Sequence, residues 1–219
     1  MSRLSAIAVW TALGGLAASP SASAFSLLGA EVLPVRDSAV DVQLGYPEVR
    51  LGYHLPVLKN LEINPRFSFF YSDGWDAAGD TLSVGNFGVR VGADFKLQLI
   101  GEERWHLGLI WKFGVPLNCT PEFTGGLQLG LLGGLVADYE ATDAVRIIGG
   151  LHLQTAVLFV GDGVYNLPVV FELSTEFAVT SKIQVALTFE GGPSFFFSRG
   201  QDPFTRGYVA GFLGLQFLL

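Results

Sequence analysis

The chain is apolar on average yet never apolar for long. Its mean hydropathy is +0.44, and half of its 219 residues are hydrophobic. Beyond residue 24, no run approaches the roughly 18 consecutive apolar residues that a membrane-spanning helix needs. Charged and polar side chains instead recur every few positions and alternate with large apolar ones. Successive side chains of a β-strand point to opposite faces. The pattern therefore dictates strands with one oily and one polar face.

The alternation runs through residues 38–219. It is cleanest where Ile183, Val185, Leu187 and Phe189 interleave with Gln184, Thr188 and Glu190. Val169, Phe171, Leu173 and Phe177 stand against Glu172, Ser174 and Glu176 in the same way. Upstream, Phe87 to Leu97 oppose Arg90, Asp94 and Lys96, and Trp105 to Phe113 oppose His106 and Lys112. Leu127 to Leu135 oppose Asp138, and Ile147, Leu151 and Leu153 oppose Arg146 and His152. Leu61, Ile63, Phe67 and Phe69 oppose Glu62 and Arg66; Val49, Leu51 and Tyr53 oppose Arg50 and His54; Val40 and Val42 oppose Asp41.

The breaks between these stretches alternate in length. Residues 56–60, 101–104, 141–143 and 180–182 are short links. Residues 72–80, 116–122, 161–166 and 198–203 are longer and richer in Gly, Pro, Asp and Asn. Eight strands follow from Leu61 onward, residues 48–55 add a ninth, and residues 38–45 supply a tenth through a tight turn at Tyr46-Pro47. An eight-stranded sheet with 38–55 irregular is the alternative. Pro65 and Pro193 fall inside proposed strands, where each removes a ladder hydrogen bond, so bulges or strand ends are expected there.

Residues 1–24 read as a secretory signal peptide. Arg3 supplies the positive charge, Leu4 to Ala18 the apolar stretch, and Ala22-Ser23-Ala24 the small-x-small pattern that places cleavage after Ala24. Residues 25–37 show no period and are expected to be a lead-in segment on the periplasmic side. The net charge of −7 argues against nucleic-acid binding. The single cysteine, Cys119, allows no intrachain disulfide framework and reads as an incidental loop thiol.

A strand that is oily on one face suits a soluble sandwich as well as a membrane barrel. Three features favour the barrel. The polar faces carry both charge signs with only 13 Lys and Arg. Aromatic residues gather near strand ends, at Tyr46, Tyr71, Trp105, Tyr139, Phe195, Phe197 and Tyr208, as suits a membrane interface. A closed barrel also pairs every backbone polar group inside lipid.

The C-terminal strand ends Gly214-Leu215-Gln216-Phe217-Leu218-Leu219. Gly214, Phe217 and Leu219 resemble the terminal signal read by the outer-membrane assembly machinery. The final Leu and the Phe at 212 depart from its usual form. With the signal peptide and the strand period, the whole mature chain resembles the small bacterial outer-membrane β-barrels, similar in plan to the OmpA-type transmembrane domain. The resemblance implies an all-β, up-and-down antiparallel barrel over 38–219 in the outer membrane of a Gram-negative cell. It also implies a monomer whose partners are membrane lipid, lipopolysaccharide and, during insertion, the assembly machinery.

If the oily faces meet lipid, the charged ones point inward. Asp41, Glu62, Asp94, Asp138, Glu172, Glu176 and Glu190 then face Arg50, Arg66, Arg90, Lys96, Lys112 and Arg146. Buried charges must be paired, and a small barrel has an interior that side chains can fill. The expectation is a plugged, porin-like barrel with a structural or interaction role. A narrow channel for small solutes is one alternative and a membrane-embedded hydrolase another. His54, His106 and His152 fall on inward faces with no serine motif or HxxxH spacing beside them, so they read as lumen lining. The three acids of residues 72–80 read as a solvated loop. No catalytic residue, metal site or cofactor is assigned.

Overall fold

The computed structural model describes residues 25–71, 87–119, 124–129, 133–153, 155–158, 164–198 and 202–219. Twelve strand segments form one antiparallel sheet: β1 (Ala39–Tyr46), β2 (Glu48–Leu58), β3 (Leu61–Phe70), β4 (Gly88–Gly101), β5 (Trp105–Asn118), β6 (Thr124–Leu129), β7 (Gly134–Thr142), β8 (Val145–Leu153), β9 (Thr155–Leu158), β10 (Val164–Ala178), β11 (Ile183–Ser198) and β12 (Phe204–Leu218). Segments β6 and β7 lie along one stave, both paired to β5, and β8 and β9 share a stave paired to β10. Twelve segments thus make ten staves, each antiparallel to the next. The last, β12, pairs with β1 from Ala39↔Leu218 to Tyr46↔Gly211 and closes the sheet. The fold is a closed, up-and-down, ten-strand barrel. The ten-strand count holds over the eight-strand alternative because β1 and β2 are full ladder members.

Period-two patterning is what produces this shape. On β10, Phe171 and Leu173 are 57 % and 60 % exposed, while Ser174 and Glu176 beside them are 1 % and 0 % exposed. A sandwich would bury the first pair and wet the second. Here one sheet curls on itself, so its polar rows meet at the centre and its oily rows face out. Leu51, Phe67, Phe69, Val91, Leu135, Ile147, Leu187, Phe189 and Leu213 all lie on the outer face.

One end of the barrel carries tight links at Lys59–Asn60, Glu102–Arg104, Asp143–Ala144 and Val179–Lys182. We call it the turn end. The Thr180 hydroxyl accepts hydrogen bonds from the Lys182 and Ile183 amides at 3.2 and 3.0 Å and so fixes the last of these turns. The opposite, loop end holds Pro47 and the longer connections. Strands run further than the alternation alone suggests. Pro56 to Leu58 belong to β2, Pro116 to Asn118 to β5, and Val164 to Asn166 to β10. Residues 72–80 lie outside the described residues.

The two prolines behave differently from expectation. Pro65 pairs with Ala93 and Pro193 with Gly207 without a register shift. Each sits well inside its strand, and the interruption falls on one ladder only. Paired positions between β2 and β3 skip from Gly52 to Leu55, and those between β10 and β11 from Pro168 to Phe171. The missing N–H faces one neighbour, so the other ladder is untouched. The bulges fall elsewhere, near Pro56, Gln98 and Glu140 at the turn end. Gly133, with φ 66°, stands where β7 begins, a backbone conformation that only glycine takes without steric cost.

Glycine also sets close approach in the wall. A Cβ at Gly192 would come within 2.0 Å of the Val169 carbonyl oxygen, whereas one at Gly149 meets nothing within 4 Å. Gly192→Ala is expected to destabilise the barrel by about 1–3 kcal/mol. Gly149→Ala should stay within about 0.5 kcal/mol of wild type. Urea unfolding in detergent micelles reads the difference, and equal midpoints would contradict this account of the wall.

Candidate functional site: a charged lumen sealed at one end

The barrel interior is an ion-pair network built from every stave with an inward charge. At the loop end, Arg50 is the hub. Its guanidinium donates to both oxygens of Glu190, at 2.8 and 3.0 Å, and through Nε to Glu48 at 2.7 Å. Such bidentate pairing is the strongest form an ion pair takes. Arg90 also reaches Glu48, at 3.2 Å, and the Tyr208 hydroxyl donates to Glu190 at 2.9 Å. The Phe212 ring lies 3.8 Å beneath the Arg50 guanidinium carbon. An aromatic at this inward position thus has a cation to cover.

Midway down, His54 bridges two carboxylates on neighbouring staves, Asp41 and Glu62, at 2.7 Å each. Arg66 pairs with Asp94 at 3.0 Å, and His152 with Glu172 at 2.7 Å. The Ser174 hydroxyl donates to the other oxygen of Glu172. Ser174 and His152 therefore share a carboxylate rather than touching. Nucleophilic catalysis needs the hydroxyl on the base, and this arrangement does not supply that contact. Lys112 is buried alongside and, with Asp94, Glu172, Glu190 and Thr188, lines a chamber of about 50 Å³. Leu27 and Leu28 form part of the lining of the same chamber.

Those leucines belong to residues 25–37, of which 25–33 lie inside the turn end of the barrel while Pro34, Val35 and Arg36 are exposed. The segment touches the staves almost in sequence order at the turn end. The Leu33 amide donates to Glu62 on β3, and the Val32 amide to Gln98 on β4. The Ala30 and Glu31 amides both reach Asp138 on β7. The Leu27 and Leu28 amides share one oxygen of Glu176 on β10, at 3.0 Å each. Phe25 packs with Leu33, Ala39 and Leu218, back where the circuit began. Arg146 on β8 ties the coil down by pairing with Glu31 as well as Asp138, and Lys96 donates to the Ser26 and Leu27 carbonyls. His106 completes the shell of Asp138 at 2.8 Å.

The coil is what buries the turn-end charges. Glu62, Asp138, Arg146 and Glu176 are each at most 1 % exposed although they lie near the rim of the barrel. Ala30 is fully buried against Val136 and Ile148.

Set against the sequence, the thirteen charged positions all line this interior. Arg90 is the most open of those whose side chain is paired, at 27 %. The structure adds Glu31, which precedes the first strand, and Glu48, which shares the inward parity of Arg50 and His54 at the start of β2. Tyr208, placed at the interface from sequence, instead turns inward to Glu190. Phe70, Phe196 and Phe212 are likewise buried on the inner face. Gly214 faces in, with Ala186 Cβ 3.2 Å from where its own Cβ would be, whereas Phe217 and Leu219 face out. Cys119 is an exposed thiol beyond β5.

No family model matches the chain, and neither does any curated protein. Solved structures do. An outer-membrane channel from Pseudomonas putida F1 superposes with a TM-score of 0.50 at 11 % identity, over 90 % of this chain and 100 % of that one. This chain has the fold of an outer-membrane β-barrel. The outer-membrane protease OmpT from Escherichia coli matches more loosely, with a TM-score of 0.40 at 8 % identity over 84 % of this chain and 93 % of its own. Both likenesses are of fold, and neither transfers an activity.

Removing one member of the Arg50 hub tests whether the network is structural. Arg50→Ala leaves Glu48 and Glu190 buried without their main partner, a change worth about 3–5 kcal/mol of stability. Arg50→Met combined with Glu190→Leu removes both charges and should cost clearly less. The midpoint of heat-induced conversion on gels separates the two. A double variant as unstable as the single would show that shape, not charge, holds this part of the lumen.

Proposed function

We propose that this protein spans the outer membrane of a Gram-negative bacterium as a closed, porin-like barrel with a structural or interaction role in the envelope. The observation that carries the reading is the seal: residues 25–33 coil inside the turn end while paired charges fill the lumen above them. A general pore needs an open lumen. A hydrolase needs a nucleophile in contact with a base; His54 has both ring nitrogens on carboxylates, and the hydrogen bonds described for His106 and His152 also go to carboxylates rather than to a hydroxyl.

The outer face supports a lipid environment. Large apolar side chains cover it, and aromatic pairs stand at its two ends. Trp105 and Tyr139 lie 4.5 Å apart at the turn end, while Tyr46 with Tyr71 and Tyr165 with Phe197 pair at the loop end. Such belts suit the two interfaces of a bilayer. In this reading the turn end is periplasmic, and the signal peptide is cleaved after Ala24. The assembly machinery reads Gly214, Phe217 and Leu219 during insertion, and the mature monomer contacts lipid and lipopolysaccharide. The channel reading keeps one specific support, the chamber beneath Arg50.

Leu173, 60 % exposed on β10, is placed by this reading in the hydrocarbon region. Leu173→Arg should then destabilise the membrane-inserted barrel by about 2–4 kcal/mol, measured by urea unfolding in liposomes. A neutral result would remove that face from the lipid. In planar bilayers the full-length mature protein, verified as folded by its heat-modifiable gel migration, is expected to give no steady ohmic steps. Steady conductance would overturn the closed-lumen reading.

A further inference from the structure

The wall and the seal are held by different kinds of bond. Every stave is joined to its neighbours by backbone ladders, and the ring closes through β1 and β12. Residues 25–33 take no part in those ladders. Six of their main-chain amides go to wall side chains, namely Glu176, Asp138, Gln98 and Glu62, and the Gly29 amide goes to the Ser26 hydroxyl within the coil. The Lys96 ammonium and the Arg146 guanidinium supply the remaining polar anchors. Withdrawing the coil therefore breaks no sheet hydrogen bond. It leaves behind carboxylates, an amide, an ammonium and a guanidinium, all of which water solvates well.

What lies above the coil gives withdrawal a consequence. Leu27 and Leu28 line the chamber of about 50 Å³ beneath the Arg50–Glu190 pair. Once they leave, that chamber faces the turn end directly. The barrier remaining above it is made of side chains, which swing, and not of main chain. Arg66 and Arg90, at 12 % and 27 % exposure, already border water.

We infer that residues 25–33 are an intrachain plug whose withdrawal converts the closed barrel into a narrow conduit for small hydrated ions. This goes beyond the closed-barrel reading, which describes only the plugged state. The vacated rim carries Glu62, Asp138 and Glu176 against Lys96 and Arg146, and the chamber holds both signs. The conduit is therefore selective by width more than by charge.

Three variants test the inference. The first deletes residues 26–33. The second, Ala30→Glu, adds a charged side chain beside Asp138 where Ala30 is fully buried against Val136 and Ile148, to expel the coil without altering a wall residue. It carries the test if the deletion does not fold. The third, Ala30→Cys in a Cys119→Ser background, reports withdrawal by reaction with a membrane-impermeant maleimide. Folded barrels of the first two variants, confirmed by heat-modifiable migration, are expected to give steady steps in potassium chloride across planar bilayers, where the full-length protein is silent. The thiol introduced by Ala30→Cys should label at least about tenfold faster than the barrel unfolds, because a local opening precedes the global one.

Folded but silent plug variants would overturn the inference and leave the closed-barrel reading intact, since side chains alone would then block the lumen. Labelling only at the rate of global unfolding would also overturn it, by showing that coil and wall separate together. Equal steady conductance in the full-length protein and the deletion would sink both: the lumen would be open, and the coil would not be its seal.

Discussion

A charge taken out of water must meet its opposite, and in this barrel that demand fixes far more than the lumen. A single curled sheet gives each strand one inner and one outer row. Charges that avoid the outer row have one place to go. Once inside, they hold strands together that are not sheet neighbours. Arg50 on β2 grips Glu190 on β11, across β1 and β12. The same demand pins register. Slipping one stave by one residue would turn its whole charged row outward and its oily row inward. Breaking a buried pair costs several kcal/mol, so the correct register is separated from its neighbours by many such penalties at once.

Cations on the wall do not use up the acceptor capacity of its carboxylates. Each ionised carboxylate can accept about four hydrogen bonds. Glu62 takes His54 and Lys96 and still has room for the Leu33 amide. Asp138 takes His106 and Arg146 on one oxygen and two amides on the other. This surplus is what lets an irregular backbone segment lie inside the barrel. A coil without ladder partners would otherwise leave its N–H groups unpaired and buried. The acidic balance of the chain thus has a structural use at the turn end, where main-chain donors stand in for missing side-chain cations.

The wall is legible in the sequence because its signal is local. Facing follows from parity, and parity can be read two residues at a time. The order and antiparallel sense of the staves follow from short links. What escapes does so for equally physical reasons. The segment 25–37 is aperiodic, and its residues 27–33 are recognised through backbone amides, which every residue type except proline carries. Nothing in Leu27 or Ala30 announces that its N–H will find Glu176 or Asp138. Tyr208 has a ring that suits a bilayer interface and a hydroxyl that suits a lumen carboxylate, and only its parity with Ala210 and Phe212 decides between them. Glu48 adjoins Pro47 and resembles part of the turn. The prolines mislead because a lost N–H suggests a broken strand, whereas it breaks one ladder and spares the other.

The division of labour between wall and coil also bears on how the protein is made. The wall closes only when β1 meets β12, the first strand and the last. The coil reaches acceptors on staves from β3 to β10, so its full binding site needs those staves curled around it. A barrel still open would offer the segment only a fraction of its anchors, and loop closure without contacts to offset it is entropically unfavourable. The lumen is thus sealed from the turn end, by the stretch of chain directly before the first strand.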